Sequence, residues 1–108
     1  MNIKLFFSEN CSAKEYLEFL NSNGIYPKED ITNYDGYFCE SRRLLKNGSY
    51  TYDYYIWVYN KKDVVNLSHE IIHLVTRTMK DIGLPIKYEF DEFVAYYHSY
   101  WLRRLINL

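Results

Sequence analysis

A chain of 108 residues, with 48% hydrophobic and 25% charged side chains, has the balance of one folded globular domain, which excludes a disordered tail and a catalytic domain joined to a separate regulatory one. Thirteen Lys and Arg against fourteen Asp and Glu leave a formal charge of -1, without the surplus of cations that phosphate-backbone binding needs, so no nucleic-acid partner is expected. The apolar patch at residues 3–7 is too short for a signal-peptide core and no later apolar run approaches bilayer length, so the expectation is a cytoplasmic, soluble single domain over residues 1–108 with no membrane partner.

Residues 3–7 predict a short buried strand. Ser8 or Ser12 is placed to open a helix over residues 13–23, where Tyr16, Leu17, Phe19 and Leu20 follow helical spacing and Asn23-Gly24 supplies a stop. Residues 26–36, with Pro27, Asp30, Asn33, Asp35 and Gly36, read as a loop. Two strands follow, at 36–43 and 49–59, joined as a hairpin across Lys46-Asn47-Gly48. The second holds many of the chain's thirteen tyrosines, whose apolar bodies and polar tips suit half-buried positions. A helix is predicted over 63–82, with Asp63 as N-cap and Gly83-Leu84-Pro85 as the stop. The last helix, 91–106, begins with Asp91 and Glu92 and ends with Arg103 and Arg104, the signs that the helix dipole favours. Strand, helix, hairpin, helix, helix makes an α+β domain. Cys11 and Cys39 lie in no metal or redox spacing and are expected to be buried free thiols.

Chemistry concentrates in His69-Glu70-Ile71-Ile72-His73, which holds two of the chain's three histidines. Residues four apart on a helix lie about 40° apart around the axis and one turn along it, so the two imidazoles can converge on one metal ion. Glu70 is turned by about 100° from His69, beside such an ion without ligating it, where a general base for water belongs. The plainer alternative is a solvent-facing histidine pair with a chance glutamate between. Against it stand Val64, Val65, Leu67, Ile71, Ile72, Leu74 and Val75, since polar groups within an apolar helix need partners. A catalytic zinc takes three protein ligands and keeps one position open, and Glu89, Asp91, Glu92 and His98 are all candidates for the third.

Leu67-Ser68-His69-Glu70-Ile71-Ile72-His73-Leu74, then Asp81-Ile82-Gly83, then Asp91-Glu92-Phe93-Val94-Ala95-Tyr96, together resemble the small gluzincin-type metallopeptidases of phages and mobile elements. In that family an HExxH helix is followed, after a turn, by a second helix whose early glutamate completes the metal site. The resemblance covers about the second half of the chain. It implies a small zincin-like domain with zinc held by His69, His73 and Glu92. Glu70 is then the catalytic base of a zinc-dependent, peptidase-like hydrolase that uses metal-activated water. It also implies a peptide or protein substrate and a phage-encoded origin with action inside a host cell. Larger gluzincins place an aspartate one turn after the ligand glutamate; here that position is Tyr96. Tyr97 and Tyr100 are candidate oxyanion donors, with packing the plainer role, and the Tyr-rich strand at 50–59 is the candidate for holding substrate backbone by β-augmentation.

Two other functions fit the same motif. One is a non-catalytic protein of the phage or mobile-element kind, in which zinc staples the last two helices and the aromatic surface binds a host protein. The other is a metal-dependent hydrolase of a non-peptide amide.

Overall fold

The computed structural model describes residues 2–108 apart from Ile86 and the side chain of Glu89. Three strands and three helices run in the order expected: β1 (Asn2–Glu9), α1 (Ala13–Ser22), β2 (Gly36–Leu44), β3 (Tyr50–Val58), α2 (Val64–Asp81) and α3 (Asp91–Ile106), the last preceded by one 3-10 turn at Tyr88–Phe90. The result is a small mixed α+β chain. It divides into two compact units, one ending at Asn60 and the other beginning at Lys61.

The first unit is a three-stranded sheet in the order β1-β3-β2 with α1. β3 pairs parallel with β1 from Asn2↔Thr51 to Glu9↔Val58 and antiparallel with β2 from Gly36↔Val58 to Leu44↔Tyr50. β3 is the central strand and carries a nearly unbroken run of large buried side chains, Tyr54, Tyr55, Ile56, Trp57 and Val58. β1, expected to be buried, is instead an edge strand with Ile3 and Phe6 exposed. The position of β3 also corrects the expectation that it holds substrate backbone. Both of its edges are already hydrogen-bonded along its length, so it has no free ladder to offer.

α1 opens on Ser12, not Ser8. The Ser12 hydroxyl accepts from the Glu15 N–H at 3.1 Å, and the Glu15 carboxylate accepts from the Ser12 N–H at 3.0 Å, a closed capping box. The core of this unit joins Ala13, Tyr16 and Leu20 of α1 to Tyr55 and Trp57 of β3. Tyr16 stacks on Trp57 at 5.4 Å, and the indole N–H donates to the Cys11 carbonyl at 3.0 Å. Ile31, in the segment read as a plain loop, is fully buried in the same core. The hairpin turns as expected at Asn47-Gly48, with Gly48 at φ 86 donating to the Leu45 carbonyl and Leu45 donating to Ser49. This is the three-residue loop in which glycine takes the left-handed position. Cys11 and Cys39 are free but only half-buried.

The second unit contains α2 and α3. Asp63 caps α2 by accepting from the Asn66 N–H at 3.1 Å. At its other end Leu84 N–H donates to Met79 and Gly83 N–H to Lys80, with Gly83 at φ 80. That pattern is a Schellman stop, which needs a residue able to adopt positive φ at Gly83. Leu67, Ile71, Leu74, Val75 and Met79 form the buried stripe of α2. The helix is amphipathic, not apolar all round: Val65 and Ile72 are exposed. α2 and α3 pack on each other and run in opposite directions, since Ser68 Oγ meets His98 Nε2 at 3.0 Å while Lys61 Nζ donates to the carbonyl of Leu108. No helix among the described residues is long and apolar enough to cross a membrane.

Candidate metal centre

His69 and His73 stand one turn apart on the exposed side of α2, and their Nε2 atoms are 3.2 Å apart. A tetrahedral zinc ion with bonds to nitrogen of about 2.0–2.1 Å holds two such nitrogens about 3.3 Å apart. The pair is therefore already spaced as one ion requires. Burial, then the nearby His69 and Arg77, push the His73 pKa below the usual histidine value. This favours the neutral imidazole, the form that ligates metal.

Glu70 differs from its neighbours. It is 4% exposed, and its Oε2 has no hydrogen-bond partner among the described residues. Burial alone raises its pKa to about 7. The sequence argument from an apolar helix pointed at the histidines as the groups in need of a partner; on the structure that need falls on Glu70. An acid that is buried and unpartnered costs free energy unless something at the site repays it. His69, Glu70 and His73 offer ligand atoms that all lie within 4.8 Å of one another, and no larger metal-binding group includes them among the described residues. Two imidazoles at this spacing are ligands that fit zinc, with the Glu70 carboxyl beside them.

Glu92 lies in the first turn of α3, exposed and outside that group. Its height along the helix pair is nevertheless suitable. Stepping six residues back from His98 and six forward from its partner Ser68, about 9 Å along each helix, brings Glu92 level with Leu74, next to His73. Asp91 shares that first turn. Glu89 has a side chain outside the described residues. His98 is engaged with Ser68 and is not part of the cluster. Tyr96 is largely exposed, while Tyr97 stacks on Phe93 at 5.6 Å and meets Trp101 edge-on at 6.1 Å. Tyr100, half exposed, meets Trp101 edge-on at 5.2 Å.

Compared with protein-family models, with curated proteins and with solved structures, the chain matches none.

Proposed function

We propose that this chain is a zinc-dependent, peptidase-like hydrolase of the small gluzincin kind, with His69, His73 and Glu92 as metal ligands and Glu70 as general base. The observation that carries the reading is the buried, partnerless Oε2 of Glu70 beside two imidazoles at zinc spacing. Zinc bound there would act as a Lewis acid, polarising a carbonyl oxygen and making water easier to deprotonate. A carboxylate with a pKa near 7 is matched to taking a proton from water and returning it to a leaving amine at neutral pH. Glu92 is proposed as third ligand on its resemblance to the glutamate of the family's second helix and on its level along the helix pair, near His73.

Glu70→Gln keeps size and helix propensity while removing the base. Zinc content and fold should persist, and hydrolysis of a peptide library should fall by about 100- to 10,000-fold. Glu92→Ala should weaken zinc binding instead. A second reading, a zinc-stapled protein that binds a host protein, is favoured by the exposed aromatics Tyr88, Phe93, Tyr96 and Tyr100. Equal inactivity of wild type and Glu70→Gln on every peptide, with partner binding intact in both, would replace the first reading by the second.

A further inference from the structure

α2 continues past its histidines into a cavity. His69, His73, Thr76 and Lys80 fall within a sector of about 60° on the helix, so they form one stripe along it. The cavity, of about 610 Å³, is lined by Thr76, Arg77, Lys80, Gly83, Leu84 and Pro85. It thus begins on the turn after His73 and ends at the Schellman stop. It is a depression open to solvent, a shape that suits the side chain of a bound peptide more than an enclosed small ligand. Its lining combines two cations, Arg77 and Lys80, with the apolar Leu84 and Pro85. The helix dipole accounts for a lysine in the last turn of α2. It does not account for a cavity around that lysine, in line with the histidine pair.

We infer that this cavity selects substrate, binding a glutamate or aspartate side chain two or three residues from the bond cleaved, with the carboxylate on Lys80 and the methylenes against Leu84 and Pro85. The inference rests on the hydrolase reading of the same helix. The distance follows from geometry: Lys80 is seven residues, about 10 Å, beyond His73, and an extended peptide covers this in about three residues. An ammonium on a flexible stem reaches a carboxylate as a point charge, and a partly apolar setting strengthens the pair relative to open water.

The test uses the full chain reconstituted with zinc and fluorescent peptides that are identical except for Glu or Gln at scanned positions. Binding is read by anisotropy and cleavage by mass spectrometry. Peptides with Glu at the favoured position should bind about tenfold more tightly than their Gln partners, a margin of about 1.4 kcal/mol. The preference should shrink at high salt. Lys80→Gln should abolish it and Lys80→Glu reverse it, both at unchanged zinc content, since Lys80 is exposed. A Glu preference in binding without cleavage by any peptide would sink the hydrolase reading and leave the cavity's selectivity standing. Cleavage or binding indifferent to the Glu/Gln exchange, a preference that survives Lys80→Glu, or no binding by any peptide would each overturn the inference.

Discussion

The sheet unit and the helical unit treat a buried acid differently. On β3, Asp53 is 5% exposed and has a cation at hand, with Arg43 Nε 3.3 Å from its Oδ2, although its Oδ1 has no hydrogen-bond partner among the described residues. On α2, Glu70 is equally buried and has no ion-pair or hydrogen-bond partner among the described residues; its pKa is pushed up to about 7. Around Asp53 the local rules of folding are otherwise met: α1 is closed by a full capping box, the Trp57 indole is hydrogen-bonded, and Phe6 stacks on Tyr55 at 4.8 Å. Tyr16 also keeps a hydroxyl without a partner among the described residues, and its burial raises its pKa, but a phenol is neutral at pH 7 and nothing reactive is held in reserve. Among the described residues each unit leaves buried polar atoms unsatisfied, Asp53 Oδ1 and the Tyr16 hydroxyl in the first, Glu70 Oε2 and Trp101 Nε1 in the second, but Glu70 is the acid among them with no ion pair, and it stands between two metal-binding side chains, where a function would explain the cost.

Three changes sharpen the contrast. The largest loss of stability is expected from Trp57→Ala, which empties the fully buried centre of the first core and should cost about 3–5 kcal/mol in urea unfolding. Next comes pH. In the metal-free chain the folded state holds the Glu70 proton up to a pKa of about 7, while an ordinary glutamate near 4.5 loses it earlier. The stabilisation is therefore full below about pH 4.5 and lost as pH rises to about 7. Its size is on the order of 3 kcal/mol. Glu70→Gln should flatten that part of the stability curve; an identical slope in the variant would show that Glu70 is not strained by burial. The smallest effect is expected from Ser12→Ala, which opens the capping box of α1 at a cost of about 1 kcal/mol and leaves zinc binding alone.

Much of this was legible in the sequence because it is local. The hydrophobic period, Asp63 before α2, Gly83-Leu84-Pro85 after it and the charges at the ends of α3 fixed the helices to within a residue or two. The hairpin was equally clear from Asn47-Gly48. Long-range matters were not. Nothing near β1 announces that it pairs parallel with β3, and so the Tyr-rich strand looked like a usable edge when it is the centre of the sheet. Ile31 becomes a core residue only when its loop folds back over α1, which no periodic pattern records. In the site, spacing was enough to bring the two histidines and Glu70 together. Which of the three is buried depends on which side of α2 is covered, and apolar residues such as Val65 and Ile72 on the exposed side blurred that signal. Glu92 rests on sequence resemblance and on its level along the helix pair.

Zinc content tests the central claim most directly. After reconstitution and removal of free metal, elemental analysis of the wild-type chain and of Glu70→Gln should each give close to one zinc per chain, and His73→Ala should give almost none. Wild-type protein that retains no zinc, or His73→Ala that retains as much as wild type, would contradict it.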